Sequence, residues 1–367
     1  MSKRNKSNNK TIVTLLMFIV LVLIVLAALF NTDILIGKER QVSVNSAKIN
    51  SNKDNVTQSS EKDPYENMAR SKLSGQWVEK ELAEKVPYAV MYSNIADAMP
   101  QANISKADVV FEAPVEGKIT RMCCLFENQT DLEKIGPVRS CRTYFLLFAR
   151  EFESIYVHFG YSEYAEKYLK NDSFKSLDGM SYCNFYRTND RVAPHNAYTS
   201  WAGIADSVQA KNYSSAYSQG YTSPFTFHTQ ENPIVPPSGT TCDRVDMNYS
   251  YNQPYFEYDA AKNRYLRYQF GTAQIDQQTG EQLEFDNIIV KYVEPDYYEN
   301  GTPNYKISGV GEGYFITQGY GQKITWVKEN ESYGATKYYY EDGTEIILNP
   351  GKTYVALVET SQKITVQ

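Results

Sequence analysis

At 367 residues, 42% of them apolar, the chain is roughly two to three times a usual domain, enough for two folded units plus non-globular segments. Its 37 basic and 43 acidic side chains give a formal charge of −6; Lys3, Arg4, Lys6 and Lys10 precede any acid, so the rest carries −10, which excludes a nucleic-acid binder built on a clustered basic surface. Five cysteines without a C-x-x-C spacing exclude a zinc-finger framework and a disulfide-dense scaffold.

Residues 1–10 read as a cytoplasmic tail, because their four cations stand directly before the uncharged run TIVTLLMFIVLVLIVLAALF. That run, Thr11 to Phe30, spans about 30 Å as a helix, the thickness of a bilayer's hydrocarbon layer. The expectation is a single-pass, uncleaved signal anchor with the bulk of the chain outside. The run exceeds a signal peptide's apolar core, and no clear small-residue cleavage site follows it. Residues 31–72 are dominated by Ser, Asn, Lys, Asp and Glu, too polar to repay ordering, and read as a disordered stalk.

From Val86 the pattern becomes regular. VPYAVMYSN, ADVVFEAPVEG and KITRMCCLFEN read as strands, the last two a closely paired return across Glu116-Gly117-Lys118. Ser140 reads as the cap of a helix through Glu151, with Tyr144, Leu147 and Phe148 on one face. SIYVHFG reads as a strand with His158 opposite Ile155, Val157 and Phe159. A short helix at Glu163–Leu169, a polar loop from Asn171 to His195 and a helix around Trp201–Lys211 follow. Residues 73–228 are therefore expected to form an α/β (α+β) unit.

Beyond it, YFEYD, RYLRYQF, FDNIIVKYV, GYFITQ, KITWVK, TKYYYED, TEIILN and TYVALVE alternate with turn residues, so residues 229–367 are expected to form an all-β sandwich or barrel-like unit. Of 31 tyrosines, 17 fall in the last 135 residues, which fits half-exposed strands and also a sugar-stacking surface.

Polar groups gather at the ends of the elements in the first unit: Glu112, Glu116, Arg121, Arg139, Ser140, Arg142, His158, Asp178, Arg187, Arg191, His195 and Asn196. If these segments edge one sheet, their side chains converge on one cleft at the strand ends.

The pieces FEAPVEGKITR, IGPVRSCRTYF, YVHFGYSE and FYRTNDRVAPHNAYTS, with DNIIVKY and DGTEIILNPGKTYVALV in the second half, resemble the YerB-type lipoprotein family of Gram-positive bacteria from about Pro87 onward. The resemblance implies an extracytoplasmic envelope protein with N-terminal and C-terminal family domains and no established activity. The family motif maps onto the polar residues just named, together with Gly117, Thr120, Gly136, Pro137, Gly160, Gly179 and Pro194. The chain departs by an anchor helix where relatives often carry a lipidated cysteine. It also has Cys123, Cys124 and Cys141 at positions that look apolar or small in the family, which argues against a cysteine nucleophile.

Two chemistries fit these residues. Glu112 and Glu116, with His158, are candidate catalytic groups for cleaving a peptidoglycan or other wall glycan. On an unbroken strand the two acids lie about 13 Å apart, beyond the roughly 5–9.5 Å of a two-carboxylate glycosidase. The expectation is therefore a single acid/base of the lytic-transglycosylase type. In the alternative, Arg121, Arg139, Arg142, Arg187 and Arg191 with Ser140, Asp178, His195 and Asn196 hold an anionic wall polymer or other envelope ligand without catalysis. No metal site is expected, because His158, Asp178 and His195 lack short ligand spacing, and no cofactor motif is present. The expected partners are the membrane, through the N-terminal helix, and a wall glycan or anionic wall polymer, with no nucleic acid.

Overall fold

The computed structural model describes residues 65–367 except 128, 172, 182–183, 230–231 and 331–333. The expected tail, membrane anchor and most of the stalk lie outside the described residues. Among the described residues no helix is long and apolar enough to cross a membrane.

The regular elements used below are, in chain order, β1 (Tyr88–Asn94), β2 (Val109–Pro114), β3 (Thr120–Phe126), α1 (Thr143–Arg150), β4 (Ile155–His158), α2 (Glu163–Leu169), β5 (Ser176–Asp178), α3 (Trp201–Ala210), β6 (Arg244–Asp246), β7 (Tyr255–Asp259), β8 (Arg264–Gln269), β9 (Asn287–Val293), β10 (Gly309–Thr317), β11 (Tyr320–Lys328) and β12 (Thr353–Glu359). The fold is α+β and rich in sheet.

One 11-stranded sheet carries most of them, in the order β11-β10-β9-β12-β2-β3-β1-β4-β5, with the short strands Thr240–Thr241 and Lys337–Tyr339 both pairing β11. The expected return Val109–Phe126 is present: β2 and β3 pair antiparallel, Val109 opposite Leu125 and Pro114 opposite Thr120. β1 and β4 run parallel, as do β4 and β5.

The boundary expected near residue 228 is not a seam in this sheet. β12, from the last 15 residues, lies between β9 and β2 and runs parallel to both, with Val355 opposite Ile289 on one side and Phe111 on the other. The later strands therefore do not close into a sandwich or barrel of their own. The described residues form one compact unit. Two of these later strands also explain the Gly309-Val310-Gly311-Glu312-Gly313 run: Gly311 sits opposite Trp326, where any β-carbon would lie 2.5 Å from the indole.

Alternation along the strands makes two cores. On one face Met91, Phe111, Cys123, Val355 and Leu357 pack against α1 through Phe145, Leu146 and Phe148, with Phe111 stacked on Phe148 at 4.1 Å. On the other, Val90, Val110, Cys124, Ile288 and Ala356 meet Val245, Phe256, Tyr265 and Phe285 of a second, 6-stranded sheet that contains β6, β7 and β8. α3 adds Ile204 and Val208 to this second core. Cys123 and Cys124 face opposite cores, as adjacent strand residues must, and both are buried free thiols.

Two local expectations are corrected. α1 begins at Thr143 with Arg142 at its N-cap, not at Ser140. The segment before it is held extended by Arg139 N–H to Met91 O (2.9 Å) and Cys141 N–H to Gly160 O (2.9 Å). The stretch from Asn171 to His195 is not one loop: it contains β5 and Phe185–Arg187, which pairs with Ala197–Thr199. Short strands with few apolar residues give no periodic signal, and distant partners stabilise them.

Candidate functional site

The C-terminal ends of β1, β4 and β5 and the start of β3 lie at one edge of the large sheet. Ser93 of β1 is opposite Arg121 of β3, and His158 of β4 is opposite Asp178 of β5. Onto this edge folds the extended segment Gly136–Cys141, which brings Arg139, Ser140 and Arg142 beside Arg121. The hairpin Phe185–Thr199 adds Arg187, His195 and Asn196. The structure brings most of the candidate residues to this edge, and their individual contacts differ sharply.

Glu112 is not among the residues that meet at this edge. It is fully buried on the face covered by the second sheet. There it forms an ion pair with the equally buried Arg267 (2.5 Å) and accepts hydrogen bonds from Asn94 Nδ2 (3.0 Å), Thr120 Oγ1 (2.6 Å), Asn252 Nδ2 (2.9 Å) and Tyr354 Oη (2.8 Å). A carboxylate with every lone pair taken and no route to solvent is a structural anchor. The sequence suggested an acid at a strand end; it gave no sign of the partners, of which Asn252, Arg267 and Tyr354 come from 140 to 242 residues away.

Glu116 is beside the arginines, on the surface turn Glu116–Lys118, and grips Arg142 in a fork: Nε to Oε1 at 2.6 Å and Nη2 to Oε2 at 2.8 Å. Burial pushes its carboxyl up, but the hydrogen bonds and charge of Arg142, with Arg121 behind, more than offset this and leave it below the usual glutamate range. It is therefore ionised at neutral pH, the wrong state for a general acid. The same contact raises Arg142 against its own burial.

His158 is buried, with Nδ1 2.8 Å from Gly160 O and 3.9 Å from Asp178 Oδ1. Burial lowers its pKa, so it stays neutral. Asp178 accepts the backbone N–H groups of Gly160 (2.8 Å) and Met180 (3.0 Å), and Asn196 joins Arg187 (2.7 Å) to Thr188 O (2.8 Å). These residues brace the loops that carry the cations. Arg191 is likewise spent on the carbonyls of Ala98 (2.5 Å) and Pro100 (2.6 Å). Its expected place as a ligand-holding group is corrected to that of a clamp on the loop after β1.

What remains is a knot of cations. Arg121 is buried, donates to Ser140 O (2.7 Å) and is depressed to about 9 by burial and then by Arg142 and Arg139. Arg139 is lowered by burial, Arg142 and Arg187; among the described residues no carboxylate lies within ion-pair reach of it, and its guanidinium makes one hydrogen bond, a long 3.5 Å contact to Pro194 O. Arg187 lies 4.7 Å from the Phe159 ring centroid, and His195 Nδ1 lies 3.2 Å from Ser93 Oγ. Burial and then Arg139 lower His195. Glu116 is the single carboxylate acting on both Arg121 and Arg139.

Sequence reading missed Ser93 as the partner of His195 and Phe159 as the platform of Arg187. Neither has a motif; both are set by strand register. It also missed two cavities away from these arginines. One, of about 470 Å³, is lined by Leu146, Glu151, Tyr217, Tyr221 and Lys328; the other, of about 710 Å³, by Tyr292, Asp296, Lys306, Trp326 and Lys363. For an anion, charge and donors at an accessible surface decide recognition more than enclosed volume does. Among the described residues no group of three or more acidic, histidine or cysteine side chains is placed to hold a metal.

Two family models match in order: the N-terminal domain of a protein of unknown function (DUF3048) over residues 73–214, and its C-terminal domain over residues 245–355. A Bacillus subtilis protein named "Putative lipoprotein YerB" is 31% identical over 296 residues, which is 79% of this chain and 86% of the relative. The crystal structure of the B. subtilis YerB protein superposes with a TM-score of 0.72 at 28% identity, covering 82% of this chain and 99% of that one. With both family segments in sequence and this identity across most of both chains, the protein belongs to the YerB-like DUF3048 family.

Proposed function

We propose that this protein is an extracytoplasmic, membrane-associated binding protein that holds an anionic envelope ligand in the Arg121–Arg139–Arg142–Arg187 cluster, without acid–base chemistry. The location rests on the uncharged run Thr11 to Phe30 behind four cations, and on a relative named as a lipoprotein. The observation that carries the ligand class is Arg139. It is a guanidinium crowded by two other arginines and without a carboxylate of its own, a costly arrangement that an incoming carboxylate or phosphoryl group relieves.

A wall polymer qualifies through its carboxylates or phosphodiesters rather than through a cleavable glycosidic bond. The glycan-cleaving expectation has no support in the positions of its two acids, since Glu112 is sealed and Glu116 is ionised. The test is isothermal titration of the full chain, solubilised in a non-ionic detergent, with inorganic phosphate. Arg139→Gln is expected to weaken binding about 10- to 100-fold, the loss of one charge-assisted contact. Binding is also expected to weaken as salt rises. Equal affinity of Arg139→Gln and the parent chain would remove this reading.

A further inference from the structure

The position of Glu116 points to a device within the proposed anion site, and the inference rests on that reading. The turn that carries it is closed by Val115 N–H to Ile119 O (2.8 Å) and bends through two consecutive left-handed residues, Gly117 at φ 69° and Lys118 at φ 60°. Nothing lies within 4 Å of a β-carbon built on Gly117, so the turn stands free of the body, yet Glu116 reaches back to take Arg142 in both its forks. The pair is not sealed: the Glu116 side chain is 38% exposed and that of Arg142 is 12% exposed. A ligand arriving at Arg139 thus meets Arg142 already occupied by a carboxylate of the same chain.

We infer that Glu116 is a built-in occupant of the arginine cluster that a ligand must displace, and that it thereby selects phosphoryl groups over simple carboxylates. The physical reason is exchange. A monocarboxylate that displaces Glu116 reproduces only the same two-oxygen, one-charge contact with Arg142, so little is gained. A phosphate brings a third oxygen and up to two charges, which can span Arg142 and Arg139 together. The freed Glu116 swings into solvent on its exposed turn, so the exchange leaves no buried unpaired charge.

The experiment is isothermal titration of the full chain in non-ionic detergent at fixed ionic strength, with inorganic phosphate and with acetate as probes, on the parent chain, Glu116→Gln and Glu116→Asp. The parent chain is expected to bind phosphate at least about tenfold more tightly than acetate. Glu116→Gln is expected to tighten phosphate about tenfold and acetate by more, narrowing the discrimination. Glu116→Asp keeps the charge but loses reach for the fork, and is expected to fall between the two. It also serves as the second variant should thermal melting show that Glu116→Gln unfolds. Phosphate binding that is unchanged in both variants, or parent-chain affinities equal for phosphate and acetate, would overturn the inference while leaving the anion site intact. Absence of phosphate binding in the parent chain and both variants would remove the anion site itself.

Discussion

Glu112 and Glu116 stand four residues apart, and the fold gives them opposite roles. Glu112 faces the second sheet, where Arg267, Asn94, Thr120, Asn252 and Tyr354 consume its lone pairs; Glu116 lies on the turn at the other end of the strand exit, half in water. Removing one partner of a buried pair leaves the other charge stranded. Glu112→Gln is therefore expected to destabilise the fold by about 3–5 kcal/mol, read as a lower denaturant midpoint with an unchanged slope. An unchanged midpoint would show that the pair contributes nothing. The candidate residues were legible as polar groups at strand ends, but whether each faces water or the second sheet was not. Burial of a strand residue depends on what covers that face, and here the cover comes from residues 244–285.

At the scale of elements, the ends of β2 and β3 carry a second pair of acids that no motif announces. Asp108 directly precedes β2 and Glu127 directly follows β3; the Glu127 N–H donates to Asp108 Oδ2 (2.8 Å), and Glu127 Oε1 has no hydrogen-bond partner among the described residues. Burial pushes Glu127 up to about 7, with the charge of Asp108 contributing, and burial pushes Asp108 up to about 6. With folded-state values above their unfolded ones, both acids bind more protons in the folded state, so their contribution to stability is lost as pH rises from about 4.5 to about 7. His158 acts in the opposite sense: its lowered pKa means that the unfolded chain takes up the extra proton, which costs stability as pH falls below 6.5. Glu127→Gln is accordingly expected to gain about 2–3 kcal/mol over the parent chain at pH 8, and the gain should shrink to less than about 1 kcal/mol near pH 5. Melting curves of the two proteins from pH 5 to 8 check this, and parallel curves at every pH would refute it. The helices α1, α2 and α3 and strands β1 to β4 were readable because their periodicity is local. β5 was not, because its three residues are specified by the neighbouring β4.

At the scale of the whole molecule the two family segments share one sheet. β12 fills the slot between β9 and β2, so each half alone would leave an apolar strand edge unpaired: β2 without β12 on one side, β12 without β2 on the other. Residues 62–228 produced alone are expected to lack cooperative unfolding. Co-production with residues 229–367 should restore it, as judged by a single melting transition and co-purification of the two pieces. A sharp transition in residues 62–228 alone would show two independent domains after all. By itself the sequence determined the uncharged run behind four cations, the polar composition of residues 31–72, most strands and helices, the family and the presence of five arginines among the strand-end residues, because each is a matter of composition, short-range period or motif. Only the tertiary structure decided that the halves are continuous, that Glu112 is an anchor, that Arg191 is a clamp and that Arg139 has, among the described residues, no carboxylate within ion-pair reach. Those facts depend on which distant strand lies alongside, and parallel pairing across more than 200 residues leaves no local trace in the chain.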